Sequence, residues 1–335
     1  MTIGLPDSTV GIEDHPASAE PVRAATVAHG KSPTRIAVDR LRKDKVAVTC
    51  ACIVLLFILI AIFAPLLTKL EGGDVATFHP ELVDEFGFPT IGITPDHWFG
   101  IEPKTGRDSF ARWVFGARPS LIVASVATIF GTTVGVVMGL MAGFLGGWVD
   151  RVISWFIDFV LSLPYLLFAI AMVPIVESWR GGSFNLTPEE QASTRFYVLI
   201  FVLSFFGWAG LARIIRGEVL SLREREFVLA AKAIGVSTPR ILFKELLPNL
   251  VAPIVISASL SLPAYVTAEA GLSFLGVGLI EPRPSWGQTI ANATNWFKAD
   301  PLYLWLPVAA ITILVLALAL LGDSIRDAFD PKTRR

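Results

Sequence analysis

Six long apolar stretches constrain this chain more than any other feature of its sequence. They cover residues 46–67, 121–149, 152–176, 196–212, 246–280 and 301–322. Four of them contain no charged residue, and two contain one each, Asp158 in the third and Glu269 in the fifth. Since a helix needs about 20 mostly apolar residues to cross a bilayer, the pattern predicts an all-α, polytopic membrane protein with six transmembrane helices.

Composition excludes several classes of protein. Charged residues make up 17% of the 335 residues, against about 25% in soluble globular proteins. A net charge of -1 supplies no basic surface for phosphates, so no nucleic acid is expected as a partner. The cysteines, Cys50 and Cys52, lack His or carboxylate neighbours, so no metal site is expected. The sequence contains neither a complete Gly-x-x-x-x-Gly-Lys-Ser/Thr phosphate loop nor a hydrolytic motif, which predicts no bound cofactor and no enzymatic activity.

Lysine and arginine positions predict that both termini are cytoplasmic. In this orientation 19 of the 28 basic residues lie on the cytoplasmic side, in agreement with the positive-inside rule. Residues 1–35 are polar and predict a disordered tail, and residues 36–67 a basic membrane approach followed by the first span. Residues 68–119 are then the extracytoplasmic loop, 120–322 the core of spans 2–6, and 323–335 a cytoplasmic C-terminal tail.

The end of the extracytoplasmic loop has a helical pattern of its own. Asp108 is a suitable N-cap, and Phe110, Trp113 and Val114 follow at positions that share one helix face. The pattern predicts an amphipathic helix at the outer membrane interface, either as an anchor before the second span or as a gating element.

The connection between spans 4 and 5 predicts a helix, a glycine turn and a second helix in the cytoplasm. Phe227, Ala230, Ala231 and Ile234 have the spacing of an apolar helix stripe, and Gly235 suits the C-terminal cap. A second helix over 240–247, with Ser237 or Thr238 as its N-cap and Pro239 in its first turn, leads to Pro248. The small Ala230 and Ala231 favour close approach of a partner, although the stripe is equally compatible with packing on the span ends.

Glycines recur every fourth residue in the second span. Positions 131, 135, 139, 143 and 147 form a repeated small-residue face, which predicts a tight helix–helix interface. A flexible hinge is the weaker interpretation.

The two charges within the spans are candidate gating or pathway residues, because an ionisable group in a membrane normally faces the protein interior or water. Asp158 is expected to pair with Arg151 or Arg213, with substrate contact as the alternative. Glu269 is expected to serve helix packing and gating. Its alternatives are a cap near Ser273, a cationic substrate N-terminus, or an arginine of a partner protein.

The connection between spans 4 and 5 contains Leu229-Ala230-Ala231, Gly235 and Leu247-Pro248. In these residues it resembles the EAA loop of ABC-importer permeases. Leu229 stands where the motif has its acid, with Glu226 nearby, and Glu245 stands where it usually has isoleucine. The resemblance implies that Glu226, Phe227, Ala230, Ala231, Ile234, Gly235, Leu247 and Pro248 form the coupling segment that docks on an ATPase subunit.

Further motifs are His97-Trp98-Phe99-Gly100, Gly106-Arg107-Asp108, Gly116-Ala117-Arg118, Leu272-Ser273-Phe274-Leu275-Gly276-Val277-Gly278 and Pro282-Arg283-Pro284-Ser285-Trp286-Gly287. Together they resemble the dipeptide/oligopeptide/nickel permeases, in particular the C-type, or second, permease. The resemblance implies half of a peptide pathway in a bacterial cytoplasmic membrane. The implied partners are a second permease, two ATPase subunits or one fused pair that use ATP and Mg²⁺, an extracytoplasmic binding protein, a peptide substrate and membrane lipid.

Three rival functions remain open on the sequence. Within the family, the substrate is nickel or another small solute. An ion-coupled secondary transporter would need midplane ionisable groups and usually inverted repeats, whereas only Asp158 and Glu269 lie in the spans. An intramembrane enzyme would need a reactive pair or metal ligands within the spans, and the sequence supplies no such pattern.

Overall fold

Helices make up all the regular structure of the described part of the chain, residues 33–182 and 184–330 of a computed structural model. The all-α prediction is therefore confirmed for this part. Most of the predicted tail, residues 1–32, lies outside the described residues, but residues 33–35 already belong to the first helix. The described residues from Pro33 onwards pack as one unit.

The helices follow one another with few other elements between them. They are α1 (Pro33–Leu41), α2 (Lys45–Glu71), α3 (Ser109–Leu145), α4 (Gly147–Ser162), α5 (Tyr165–Trp179), α6 (Pro188–Leu222), α7 (Glu226–Ala233), α8 (Thr238–Arg240), α9 (Val251–Phe274), α10 (Trp286–Ala293) and α11 (Pro301–Phe329). A 3₁₀ turn, Pro80–Leu82, lies in the loop before α3. Five helices are long and apolar enough to cross a membrane, with the stretch from α8 to α9 taken as one, Thr238–Phe274.

The predicted third span is not one continuous helix. It consists of α4 and α5, which are bent by 86° at a short break. The break falls at Leu163 and Pro164, where Leu163 is extended. A proline disfavours helical geometry in the residue before it and supplies no N–H for the helix ladder. The described chain therefore has five uninterrupted spans, and a sixth only if the bent pair is counted as one.

The helix predicted before span 2 is present but is not a separate element, because those residues are the first turns of α3. Asp108 caps this helix as predicted, since its Oδ1 accepts a hydrogen bond from the N–H of Ala111 at 2.6 Å. Phe110 and Val114 are buried in a small cluster with Ala64. They pack inside the protein. The helix continues through Pro119 and ends at Leu145.

The glycine-rich face of α3 forms a tight contact with α6, as predicted. A Cβ atom built at Gly139 would lie 2.7 Å from the carbonyl oxygen of Ala212, and one at Gly143 would lie 2.7 Å from Cβ of Val219. Gly131 and Gly135 face α6 in the same way. Gly147 is an exception, since it starts α4 with φ of +57° and has no neighbour within 4 Å of a built Cβ.

The predicted second loop helix does not end at Pro248. From α8 the chain continues through a π-helical turn (Ile241–Leu246) and a 3₁₀ turn (Leu247–Leu250) directly into α9. Pro248 has no N–H for the carbonyl four residues earlier, and the altered turns carry the helix past it. The fifth span also ends earlier than predicted, at Phe274.

Candidate functional site

The loop helix α7 is held to the bundle by two buried residues, Val228 and Ala231. Both belong to a cluster of buried apolar residues that also contains Ile215 and Val219 of α6 and Leu250 before α9. The ammonium group of Lys232 lies 5.0 Å from the ring centroid of Phe144 in α3. Helix α7 is therefore attached to the ends of three membrane helices.

The predicted apolar stripe is buried only at Ala231, so of the two interpretations left open, packing of the whole stripe on the span ends is wrong. Phe227 is 41% exposed and Ile234 is 80% exposed, and Ala230 is exposed as well. The helix packs through Val228 and Ala231, a stripe rotated from the predicted one. Phe227, Ala230 and Ile234, here called the exposed loop face, are thus left uncovered. Glu226 lies beside this face in the first turn and is exposed.

Gly235 ends α7 in the predicted manner. Its φ is +77°, a left-handed conformation that glycine adopts without steric cost. The N–H of Gly235 donates to the carbonyl of Lys232, and the N–H of Val236 donates to that of Ala231, each at 3.0 Å. Downstream, Leu247 packs against the cluster below α7, while Pro248 is exposed.

Two ion pairs join α4 to α6. Asp158 pairs with Arg213, one of its two predicted partners, and the side chains are 68% and 56% exposed. Asp150 accepts two hydrogen bonds from Arg216, at 2.5 and 2.8 Å, and a third from Ser154 at 3.0 Å. The Asp158–Arg213 pair is thus much more exposed to solvent than an ion pair that only holds packed helices together.

Glu269 is fully buried. One carboxylate oxygen accepts a hydrogen bond from Ser120 of α3 at 2.5 Å, and the other accepts one from Ser273 at 2.8 Å. Ser273 Oγ in turn accepts from the N–H of Leu279 at 3.0 Å. The carboxylate therefore connects α9, α3 and the segment after α9, and in this conformation no substrate can reach it.

A buried ionic cluster joins the loop before α3 to the segments around α10 and α11. Arg112, only 2% exposed, bonds Glu281 at 2.5 and 3.2 Å and lies 3.4 Å from Glu102. The hydroxyl of Tyr303 donates to Glu102, and Arg107 pairs with Glu281 at 2.7 Å. Burial disfavours the charged form of Glu281, but the two arginines hold its pKa below the ordinary value. We call these five residues the outer clamp.

Several motif residues of the sequence meet at the same end of the bundle. His97 Nδ1 lies 2.7 Å from Oδ2 of Asp108, and the indole N–H of Trp286 donates to the carbonyl of Trp113 at 2.8 Å. A Cβ at Gly116 would lie 3.0 Å from the Trp286 ring. Residues of these motifs therefore pack against one another at this end of the bundle.

Comparison with known proteins decides the family. The model of the inner membrane component of binding-protein-dependent transport systems matches residues 135–335, which is more than half of the chain. The chain belongs to this family of permeases. A second model, the N-terminal transmembrane domain of oligopeptide transport permease C, matches residues 32–78 of the permease, in agreement with the predicted C type.

Relatives cover nearly the whole permease. The dipeptide transport system permease protein DppC of Alkalihalophilus pseudofirmus is 38% identical over 307 residues, covering 90% of the permease and 91% of the relative. The oligopeptide transport system permease protein OppC of Bacillus subtilis is 32% identical over 299 residues, covering 89% and 90%. A chain of the MetNI methionine ABC transporter superposes with a TM-score of 0.50 at 21% identity, covering 65% of the permease and 96% of that chain. The last comparison supports the fold, and the family places the permease in the bacterial inner membrane as a multi-pass protein.

The sequence of the permease did not predict two features of the site. The pairing of Asp150 with Arg216 joins residues 66 positions apart, and no local pattern indicates such a pairing. Val228 was overlooked because it lies next to Phe227, so two apolar stripes of helical spacing overlap in α7. The buried stripe is revealed only by the neighbouring helices.

Proposed function

We propose that the permease forms half of a peptide pathway in an ABC importer and that its exposed loop face docks on an ATPase subunit. The observation that carries the proposal is that α7 has two adjacent faces with different environments. One face is anchored by Val228 and Ala231, whereas Phe227 and Ile234 on the other are uncovered. An anchored helix with an exposed apolar face is suited to binding a partner groove.

Attachment of α7 to the bundle supports a coupling role. The cluster below α7 includes residues of α6 and of the start of α9, and α6 packs tightly on the glycine face of α3. A displacement of α7 is therefore transmitted to several spans as a rigid-body movement. ATP and Mg²⁺ act in the partner ATPase subunits, two chains or one fused pair.

Peptide is the proposed substrate class, because the matched relatives are named as dipeptide and oligopeptide permeases. A second permease completes the pathway, and an extracytoplasmic binding protein delivers the substrate to the end that carries the outer clamp. The excess of basic residues in the α7 connection and the terminal segments supports cytoplasmic termini. Nickel or another small solute is the alternative substrate.

Replacement of Ile234 by aspartate tests the docking proposal. A charge in the centre of an apolar contact is expected to reduce co-purification of the ATPase and peptide-stimulated ATP hydrolysis at least tenfold, with normal membrane insertion. Ile93→Asp is the matched control, since Ile93 is 65% exposed in the loop at the other end of the bundle. Equal ATPase recovery with Ile234→Asp and the wild type would refute docking through this face. Uptake of labelled peptide and of labelled nickel by the wild type distinguishes the two substrates.

The pair of Asp158 and Arg213 is proposed to act as a gate beside the pathway, whereas Glu269 and Ser273 hold the helices together. Since exposed ion pairs add little to stability, variants of the pair should still fold. We expect Asp158→Arg and Arg213→Asp each to lower peptide uptake about tenfold through like-charge repulsion. The double exchange should restore at least half of the uptake. If the double variant is as inactive as the single ones, the pair is not a functional unit.

A further inference from the structure

A lateral groove of about 710 Å³ lies between α2, α3, α9 and α11. Its lining is almost entirely aliphatic and includes Val54, Ile58, Leu121, Val126 and Leu262. Arg118 supplies the one charged side chain in this lining. The combination of a cation and a long apolar wall indicates an amphiphilic occupant.

Arg118 is fixed at one end of the groove by the geometry of α2. Pro65 lies inside α2 and has no N–H, so the carbonyl of Ala61 lacks its helical partner. The Nε–H of Arg118 donates to this carbonyl at 2.5 Å, and an Nη–H donates to the carbonyl of Ile62 at 3.0 Å. The guanidinium also lies 4.9 Å from the ring centroid of Phe115. It is therefore held in place without a neutralising charge.

The positive charge of Arg118 is not neutralised within the described residues, so an anionic ligand is expected to bind it. No carboxylate of the described residues forms an ion pair with it. A guanidinium has five N–H donors, so groups remain after the two carbonyls are satisfied. A charged side chain within a span is costly unless it is paired or reaches the interface. Arg118 lies level with Ile62 of α2, whose carbonyl it contacts. Ile62 is about 8 Å along the helix from Leu67, the last residue of the first apolar stretch. A long side chain such as that of arginine can span this distance to the membrane interface.

We propose that the groove binds one membrane phospholipid, with its phosphate on Arg118 and an acyl chain along the aliphatic wall. From Ile62 the wall on α2 continues to Val54, about 12 Å further from the near membrane surface. A lipid in the adjacent leaflet has this same order, with an anionic phosphate at the surface and hydrocarbon below it. A helix of the second permease would instead have to bring a carboxylate into the bilayer to meet Arg118.

Lipid binding to the assembled, delipidated transporter containing the full-length chain tests the proposal by native mass spectrometry. Phosphatidylglycerol is the probe, and diacylglycerol, which lacks the phosphate, is the comparison. We expect Arg118→Gln to weaken phosphatidylglycerol binding at least fivefold, to the level of diacylglycerol, because glutamine still donates to Ala61 but carries no charge. Arg118→Lys should retain most of the binding. Ser125→Phe fills the exposed floor of the groove and should abolish binding of both lipids.

Lys298→Gln is the matched control, since Lys298 is exposed at the same end of the bundle and its loss should leave lipid binding unchanged. Retention of phosphatidylglycerol by Arg118→Gln would overturn the proposal. Displacement of the lipid by inorganic phosphate alone would also overturn it, because the acyl chain would then contribute nothing. A photo-crosslinker at Ile122 should capture lipid, and capture of the second permease instead would identify that protein as the occupant.

Discussion

Gly139→Val is expected to destabilise the permease by about 3 kcal/mol, the upper end of the usual cost of overpacking. The first added carbon would already lie 2.7 Å from the carbonyl oxygen of Ala212 and 2.7 Å from Cβ of Ile215. The first of these atoms belongs to the backbone of α6 and cannot rotate away, so α3 and α6 must separate. The separation would also loosen the contacts at Gly135 and Gly143, since all three glycines face the same helix.

Thermal unfolding of the purified permease in detergent measures this effect. Gly210→Val is the matched control, because Gly210 is also helical but has no neighbour within 4 Å of a built Cβ. The control should change stability by less than about 1 kcal/mol, since valine is a somewhat better helix former than glycine. Equal melting temperatures for the two variants would show that the glycine face does not hold α3 against α6.

Arg112→Met is expected to cost about 3–5 kcal/mol, the penalty for removing one partner of a buried ion pair. Arg112 is only 2% exposed and lies between Glu102 and Glu281. Without it, Glu102 would remain 3% exposed with a carboxylate that has lost its cation. The loop over residues 72–108 should then detach from α10 and α11, because the outer clamp joins these segments.

Melting temperature and protease cleavage within residues 72–108 both report on the outer clamp. Arg112→Lys should lie between the wild type and Arg112→Met, since an ammonium keeps the charge but cannot form the two parallel hydrogen bonds to Glu281. Lys298→Met is the control for loss of an exposed positive charge at the same end. If Arg112→Met melts with the control and its loop resists protease, the outer clamp contributes nothing to stability.

Five of the six spans and the caps of α3 and α7 could be predicted from the sequence because they depend on local chemistry. Apolar runs of sufficient length identified the membrane helices, and Asp108 and Gly235 were recognised as caps because each satisfies backbone groups within a few residues. The glycine repeat likewise predicted a close helix contact, since small residues at every fourth position lie on one face of a helix.

Other features depend on parts of the chain that are distant in sequence. The sequence alone could not distinguish Pro164, where the helix breaks, from Pro65 and Pro119, which lie inside continuous helices. The residues of α7 alone do not determine which of its faces is buried, because Phe227 and Val228 both fit an apolar stripe. Only the contacts with α6 and α9 select one of the two stripes. Arg112 and Glu281 are 169 residues apart, so their pairing exists only once the bundle has closed. The sequence alone thus determined the helices and the family resemblance, whereas packing decided which surfaces remain free to act, because burial depends on every neighbouring element at once.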